Sequence, residues 1–256
     1  MYQDLLGKVA LVTGANAGIG KAAALLFARR GAQVAIAARR ATELEEVAGE
    51  IEAAGGTAAA FPTDISREAD IEALVAGAVR RFGRIDAAFN NAGVMGQFAG
   101  IDRHGAEAFD QVVGTNLRGT WLCCKAELAQ FARQGTGGAI VNTSSWLSQG
   151  ALPGSTLYTM SKAGMDGMVR ALAIEAGAQG VRINNVNPGV IDTDMLRQNT
   201  DDESRKPFLA HTPLGRVGTP EEVADMAVWL CSDLSRFVTG QSILIDGGYT
   251  IAGHRG

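Results

Sequence analysis

The stretch that decides the fold is Thr13-Gly14-Ala15-Asn16-Ala17-Gly18-Ile19-Gly20. It follows an apolar run that begins at Val9, and it opens a segment with helical spacing that ends at Arg30. Gly14 lets the chain turn sharply, Gly18 lets backbone amides approach a ligand, and Gly20 lets the helix pack closely, so the positive helix N-terminus points at a pyrophosphate. The stretch predicts a strand, a turn and a helix that bind a dinucleotide; the alternative is a tight turn without a ligand.

Seven short apolar runs predict strands, and segments with helical spacing separate most of them. The predicted strands are 9–13, 33–38, 58–62, 85–90, 139–143, 181–187 and 242–246, and the predicted helices are 19–30, 42–54, 68–82, 106–133, 156–177 and 220–232. Strands that are apolar throughout are buried on both faces, as in a parallel sheet covered by helices. We therefore expect residues 1–256 to form one doubly wound α/β domain of Rossmann type, with a seven-stranded parallel sheet and helices on both faces.

Composition and charge exclude several classes of partner. Lys and Arg number 23 against 27 Asp and Glu, a net charge of −4, so the chain lacks the basic face that nucleic acid requires. No apolar stretch reaches the roughly 18 residues of a membrane span, and the start lacks a basic region followed by an apolar one, so we expect neither a membrane partner nor export. The three cysteines cannot build a disulfide framework, which favours the cytoplasm. They are Cys123, Cys124 and Cys231.

The second predicted strand ends in Ala38-Arg39-Arg40, where a Rossmann sheet meets the adenosine ribose. A carboxylate there would bind the ribose 2′-hydroxyl, which Ala38 cannot do. Arg39 and Arg40 offer cationic donors for a 2′-phosphate, unless they are simply solvated side chains that open a helix. NADP(H) is therefore the expected coenzyme, with NAD(H) as the alternative. Asp64, after the third strand, either accepts from an adenine amino group or caps the next helix.

A tyrosine and a lysine four residues apart suggest acid–base chemistry. Tyr158 and Lys162 share a face of a predicted helix, and a nearby ammonium lowers the pKa of a phenol. A lowered pKa is what a general acid or base needs near neutral pH. Ser145, at the end of the fifth strand, is placed to hold a carbonyl oxygen. The pair alone is an ordinary helix contact, and only the combination with Ser145 indicates a catalytic site.

The complete set of motifs resembles the classical short-chain dehydrogenase/reductase family, in order and nearly end to end. The resemblance is carried by Thr13 to Gly20, Asn90-Asn91-Ala92-Gly93, Thr115-Asn116-Leu117, Ser145, Tyr158, Lys162 and Pro188-Gly189. It implies a catalytic set of Asn116, Ser145, Tyr158 and Lys162. The predicted coenzyme-binding residues, from the arguments above and from the resemblance together, are Gly14, Asn16, Ala17, Gly18, Ile19, Gly20, Arg39, Arg40, Asp64, Ile65, Asn91, Ala92, Gly93, Tyr158, Lys162, Pro188, Gly189, Ile191 and Thr193.

The resemblance also implies a reaction. Hydride passes between NADP(H) and a carbonyl or secondary alcohol while Tyr158 exchanges a proton with the substrate oxygen. Ser145 would polarise that oxygen, Lys162 would bind the nicotinamide ribose, and Asn116 would anchor a water in the proton path. The family's usual assembly is a homotetramer. The alternative functions are an NAD-dependent alcohol or sugar dehydrogenase and a non-catalytic dinucleotide-sensing module.

Three further features bear on the substrate. Reductases of this family that act on a carrier protein grip it with two arginines, and the matching positions here are the neutral Thr136 and Gln179, so a small-molecule substrate is favoured. Residues 194–214 are the least regular stretch and form either a substrate lid or a solvated loop. Trp146 either lines the substrate pocket or packs between strand and helix. We expect no metal, because His104, His211 and Cys231 are scattered.

Overall fold

The computed structural model describes residues 4–251, and over that range the chain forms a seven-stranded sheet flanked by α-helices. The strands are β1 (Val9–Thr13), β2 (Gln33–Ala38), β3 (Thr57–Pro62), β4 (Ala87–Asn90), β5 (Gly138–Thr143), β6 (Val181–Pro188) and β7 (Ser242–Ile245). The helices are α1 (Gly18–Arg29), α2 (Ala41–Ala53), α3 (Glu68–Phe82), α4 (Ala106–Val113), α5 (Thr120–Gln134), α6 (Thr156–Gly177), α7 (Asp194–Asn199), α8 (Asp202–His211) and α9 (Pro220–Cys231). Among these residues, no helix is both long and apolar enough to span a membrane.

The strand order is β3-β2-β1-β4-β5-β6-β7, and every pair is parallel. This confirms the predicted doubly wound sheet. The chain builds outward from β1 to β3 and then returns to β4 on the other side of β1. Thr13 pairs with Asn90, and Asn90 pairs with Asn142, so the carboxyl ends of β1, β4 and β5 lie side by side. Ligands of doubly wound sheets bind outside the carboxyl ends at this reversal.

Successive side chains of each strand pack on opposite faces of the sheet. In β1, Ala10 and Val12 belong to the apolar core under α1, α2 and α9, whereas Leu11 belongs to the core under α3, α5 and α6. Phe27 of α1 is fully buried on the first face, and Phe131 of α5 is buried on the second. Because helices cover both faces, the central strands are apolar throughout rather than alternating.

The helix predicted over 106–133 is interrupted. α4 ends at Val113, and a π-helical turn, Gly114–Gly119, precedes α5. Asn116 lies within this turn and is completely buried. A π turn adds one residue to a helical turn and changes which side chains face inward, without disturbing the surrounding apolar spacing. Sequence periodicity therefore predicted the helix and missed the interruption.

The stretch predicted to be irregular, 194–214, is largely helical. α7 occupies its first part and α8 its second. The side chains of Asp201 and Ser204 form a reciprocal capping box at the start of α8. The charged residues and the two prolines suggested a loop, but Pro207 lies within the short helix and Pro213 lies just beyond its end. The capping pair was the signal that this interpretation overlooked.

Candidate active site

The glycine turn between β1 and α1 leaves no room for side chains. A Cβ atom on Gly20 would lie 2.1 Å from the carbonyl oxygen of Gly14. Gly18 has a φ of +53°, which strains other residues, and its Cβ would lie 3.2 Å from Cγ2 of Thr193. Ala17 begins α1 without a side-chain cap, and the first turn carries no acid. The N-terminal amides of α1 thus have no side-chain partner among the described residues, a setting that fits a pyrophosphate.

Polar side chains beside this turn connect it to α2. Asn16 donates to Glu43 at 2.8 Å, and Arg40 forms an ion pair with the same carboxylate at 2.8 Å. Arg39 is exposed at the end of β2 and, within residues 4–251, forms no ion pair. Ile19 packs against the apolar core below. Arg39 is therefore the more available of the two arginines for an anionic ligand.

Asp64 and Ile65 follow β3 at the same edge of the sheet. The carboxylate of Asp64 accepts from the backbone and hydroxyl of Ser66 at 2.9 and 2.7 Å. Burial raises the pKa of Asp64, but these hydrogen bonds and the charge of Arg39 outweigh it and hold the pKa below its usual value. α3 starts without a side-chain cap, so helix capping by Asp64 is not observed. Ile65 is buried beneath the π turn, where a Cβ on Gly119 would lie 2.9 Å from its carbonyl oxygen.

The segment after β4 ties three strand ends together. The backbone amides of Asn91 and Ala92 donate to Oγ1 of Thr13 at 3.1 and 3.2 Å. The side-chain oxygen of Asn91 accepts from the hydroxyl of Thr143 at 3.2 Å. A Cβ on Gly93 would lie 3.1 Å from Asn116 Oδ1. The predicted coenzyme-contacting residues of this segment therefore lie at the reversal of the sheet.

Asn116 is bound by the protein through both ends of its amide. Its Oδ1 accepts from the backbone N–H of Val94 at 2.8 Å, and its Nδ2 donates to the Val94 carbonyl at 2.8 Å. Nδ2 also lies 3.2 Å from the hydroxyl of Ser161 on α6. The π turn thus fastens the loop after β4 to the helix that carries Tyr158 and Lys162.

The structure brings together three predicted catalytic side chains: Ser145, which follows β5, and Tyr158 and Lys162 of α6. The side chain of Ser145 is near enough to the hydroxyl of Tyr158 to lower the pKa of that phenol. Ser145 is oriented by the backbone N–H of Leu147, which donates to its Oγ at 3.1 Å. Nζ of Lys162 donates to the carbonyl of Thr143 at 2.6 Å and lies 5.5 Å from the centroid of the Tyr158 ring. A phenol, a hydroxyl and an ammonium therefore meet at the carboxyl ends of β4 and β5.

The expected acidification of Tyr158 by Lys162 is not produced by the protein's own groups. Burial raises the pKa of Tyr158 to about 12, and the hydrogen bond with Ser145 opposes that rise without cancelling it. Burial also lowers the pKa of Lys162 to about 8, against the charge of Asp166, which raises it. The prediction failed because it considered helix spacing and not burial, and burial dominates both groups. Tyr158 is thus a protonated phenol at neutral pH.

The residues after β6 lie beside the glycine turn. Pro188 ends β6, and a Cβ on Gly189 would lie 2.6 Å from a backbone atom just beyond β7. Ile191 is buried and forms an isolated parallel bridge. Thr193 caps α7 with its hydroxyl while its methyl group faces Gly18. The predicted residues 188–193 thus complete the same edge of the site.

Aromatic side chains lie around the catalytic group. The ring of Phe98 is 6.1 Å from that of Tyr158. Trp146 packs edge-on against Tyr249 at 4.8 Å, and Tyr249 contacts Phe208 of α8 at 5.9 Å. Trp146 is only 7% exposed, so packing is the observed role of the two considered. These contacts connect the turn after Ser145 to α8.

Sequence reasoning missed a buried polar network next to the site. Asn90, Asn142 and Asn185 lie on adjacent strands and are hydrogen-bonded to one another, with Glu127 at one end and Asp166 at the other. The available signal was an asparagine near the carboxyl end of each of three predicted strands. It became visible only when the strand register placed all three in one row.

Comparisons with known proteins agree with this geometry. A family model described as enoyl-(acyl carrier protein) reductase matches residues 14–250. A-factor type gamma-butyrolactone 1′-reductase (1S-forming) of Streptomyces virginiae is 39% identical over 263 residues, which cover 96% of this chain and 97% of that protein. Cyclohexanol dehydrogenase of Acinetobacter sp. (strain SE19) is 38% identical over 98% of each chain. A crystal structure of a short-chain type dehydrogenase/reductase from Mycobacterium marinum superposes with a TM-score of 0.93 at 35% identity, over 97% of this chain and 98% of that one.

Proposed function

Because this chain belongs to the short-chain dehydrogenase/reductase family and is an NAD(P)-dependent oxidoreductase of alcohols and carbonyl compounds, we propose that it uses NADP(H) and that Tyr158 is its general acid and base. The observation that carries the proposal is that Tyr158, Ser145 and Lys162 meet at one place: Ser145 lowers the pKa of the Tyr158 phenol, and Nζ of Lys162 lies 5.5 Å from the centroid of its ring. When bound, the coenzyme supplies or accepts the hydride.

The chain's own residues handle the substrate oxygen. Ser145, held by the N–H of Leu147, orients and polarises it. Tyr158 carries a proton at neutral pH because burial raises its pKa to about 12, and this suits donation to a carbonyl oxygen during reduction. Lys162 binds the nicotinamide ribose. Asn116 positions the loop after β4 and anchors a water in the proton path.

The preference for NADP(H) rests on Arg39 and Arg40. Arg39 is exposed at the end of β2, beside the glycine turn, and its guanidinium suits a 2′-phosphate. Arg40 is already paired with Glu43, so Arg39 carries more of the preference. The rest of the coenzyme is held by the glycine turn, Asp64, Ile65, the loop 91–93 and residues 188–193.

For the substrate we propose a small, largely apolar ketone or secondary alcohol. The ring of Phe98, 6.1 Å from that of Tyr158, supports an apolar environment for the reacting carbon. The names of two relatives, a gamma-butyrolactone reductase and a cyclohexanol dehydrogenase, favour a ring-containing substrate. Residues 194–214 would close over it as a lid of the single domain, since Phe208 already reaches the aromatic contacts.

We also propose a homotetramer in the cytoplasm. Large apolar side chains are exposed on neighbouring helices, which supports helix packing between copies of the chain. They are Phe109 on α4, Trp121 on α5 and Met160 on α6. All three cysteines are free and buried, which suits a reducing compartment. Light scattering of the purified protein tests the assembly, and a monomeric mass would contradict it.

The activity itself is tested with a panel of cyclic ketones, steroids, sugars and acyl thioesters offered with NADPH and NADH. Loss of reduced-coenzyme absorbance with an apolar ketone, faster with NADPH than with NADH, is the expected result. Equal rates with both coenzymes would contradict the role of Arg39. Coenzyme binding without turnover of any compound would favour a dinucleotide-sensing module instead.

A further inference from the structure

Three buried asparagines form a continuous hydrogen-bonded row across the sheet. Asn90 ends β4, Asn142 pairs with it on β5, and Asn185 pairs with Asn142 on β6. Nδ2 of Asn90 donates to Oδ1 of Asn142 at 3.1 Å, and Nδ2 of Asn142 donates to Oδ1 of Asn185 at 3.1 Å. We call these three residues the asparagine row. It lies on the sheet face covered by α5 and α6, directly below the candidate site.

A carboxyl group ends the row on each side, and the two ends differ. Asp166 accepts from Asn185 at 3.0 Å and from Asn187 at 3.1 Å, and the positive charge of Lys162 lies near it. Glu127 is 1% exposed and, within the described part of the chain, accepts only from Asn90, at 3.0 Å. No cation among the described residues offsets its burial. Asp166 therefore has two amide donors and a nearby cation, whereas Glu127 has one amide donor and no cation among the described residues.

The side-chain oxygen of Asn90, which lies beside Glu127, lacks a hydrogen-bond donor among the described residues. Nδ2 of Asn90 has acceptors in Glu127 and Asn142, but Oδ1 is buried without any hydrogen-bond donor from residues 4–251. An ionised Glu127 offers no donor, whereas a protonated one offers its hydroxyl. A neutral carboxylic acid pairs with an amide through both groups at once, so protonated Glu127 would satisfy both ends of Asn90.

The surroundings of Glu127 favour the neutral form. Burial raises its pKa to about 7, and only the hydrogen bond from Asn90 opposes the rise. The titratable groups that interact with it are thiols: Cys123 and Cys124 on its own helix, and Cys231 at the end of α9. Burial raises the pKa of each of these thiols, so they add no charge at neutral pH.

We propose that Glu127 is a positioning residue that carries a proton, donates it in a hydrogen bond to Oδ1 of Asn90, and so holds the asparagine row in place beneath the candidate site. Asn90 directly precedes the loop 91–93, and Asn142 directly precedes Thr143, whose carbonyl accepts from Lys162. When Glu127 loses its proton, the row loses a donor and gains a buried charge. Both supports of the site then loosen.

Glu127→Gln is the sharpest test, because glutamine reproduces the protonated acid at every pH. A carboxyl whose pKa is raised by folding keeps its proton in the folded chain while the unfolded chain loses it, so stability falls as the pH rises from about 4.5 to about 7. We expect the melting temperature of Glu127→Gln to exceed that of the natural protein by about 5 °C or more near pH 8, and the two to converge near pH 5. Glu72→Gln removes the same charge from an exposed position on α3 and should show no such divergence. A variant that is destabilised at every pH, or that keeps the natural pH dependence, would overturn the proposal.

A second measurement uses the natural protein and therefore survives a variant that fails to fold. Among residues 4–251, Glu127 is the one buried glutamate. With glutamate labelled by ¹³C at the carboxyl, infrared difference spectra between about pH 6 and about pH 8 should lose the band of a buried protonated carboxyl. If no such band exists at the lower pH, Glu127 is ionised and the proposal is wrong.

The positioning role is read from coenzyme affinity and rests on the proposed function. Between about pH 6 and about pH 8, the Kd of NADPH should rise about fivefold more for the natural protein than for Glu127→Gln. Equal pH dependence in the two proteins would make Glu127 a structural acid only and overturn its positioning role. If neither protein binds a dinucleotide, the proposed function fails, while the melting and infrared results still decide the state of Glu127.

Discussion

The two halves of the sheet prepare the candidate site by opposite means. In the coenzyme half, β1 to β3, the strand interiors are mostly apolar. The site there depends on Gly14, Gly18 and Gly20, because a Cβ atom at any of these positions would crowd neighbouring atoms. In the catalytic half, β4 to β6, the strands carry buried asparagines that bind one another. The coenzyme half thus forms its part of the site by the shape of a short stretch of backbone. The catalytic half forms its part by hydrogen bonds between side chains that are distant in sequence.

The largest expected effect is on kcat, and it comes from a change in the catalytic half that should not disturb folding. Tyr158→Phe removes one hydroxyl and leaves the ring, so kcat should fall about a thousandfold while the Kd of NADPH changes less than about threefold. Tyr249→Phe, the same change in an aromatic residue assigned no chemistry, should keep most of the activity. Steady-state kinetics and coenzyme fluorescence measure both quantities. Rapid turnover by the Tyr158→Phe variant would remove Tyr158 from its proposed role.

In the coenzyme half, a single methyl group should have the next largest effect. Gly20→Ala places a Cβ 2.1 Å from the carbonyl oxygen of Gly14, and backbone cannot move aside cheaply. We expect a loss of about 3 kcal/mol in the free energy of unfolding and weaker coenzyme binding. The control is Gly49→Ala in α2, where nothing lies within 4 Å of the new Cβ. Gly49→Ala should instead raise the free energy of unfolding by up to about 1 kcal/mol, because alanine favours the helix more than glycine does. Urea titrations measure both free energies of unfolding. Equal changes in the two variants would mean that close backbone packing does not require glycine at position 20.

The asparagine row offers a direct comparison between the halves. Asn142→Leu keeps the side-chain size but removes the donor to Asn185 and an acceptor of Asn90. Leaving such buried groups unpaired should cost about 2 kcal/mol in unfolding free energy. Ile36→Leu, an apolar exchange in the coenzyme half, should cost less than about 1.5 kcal/mol. If Asn142→Leu is the better tolerated of the two, buried hydrogen bonds do not hold the catalytic half.

The smallest effect concerns Arg39, an exposed charged side chain of the coenzyme half. Arg39→Asp replaces an exposed guanidinium at the end of β2 with a carboxylate, so the ratio of kcat/KM for NADPH over NADH should fall about tenfold. Arg29→Asp makes the same charge change at the far end of α1 and should leave the ratio unaltered. An unchanged ratio in the Arg39 variant would make Arg39 a solvated surface residue.

Local sequence patterns predicted most of the strands and helices, because the spacing of apolar residues within a segment is enough to identify each element. β1, β2, α3 and α6 have the bounds that apolar spacing predicts, and the remaining strands differ by at most two residues at an end. The π turn at Asn116 was missed because it shifts inward-facing side chains without breaking the helical pattern. The helices within 194–214 were missed because prolines and charges outweighed the capping box in the interpretation.

For the candidate site, motif spacing predicted which residues would meet, and their functional roles stay predictions. Spacing did not predict their electrostatics. Tyr158 and Lys162 are one helical turn apart in any helix, but burial by the strands and loops around them raises the pKa of one and lowers that of the other. Glu127 could not be distinguished from a surface glutamate of α5 until β4 and β5 were placed against that helix.

By itself, the amino-acid sequence determined the parallel sheet, the glycine turn and the order of the motifs, because each depends on residues close together along the chain. Only the tertiary structure decided which polar groups are buried, which amides pair across β4, β5 and β6, and which acid lacks a cation. Those properties depend on solvent exclusion and on partners 37 to 52 residues apart, and no local pattern records them.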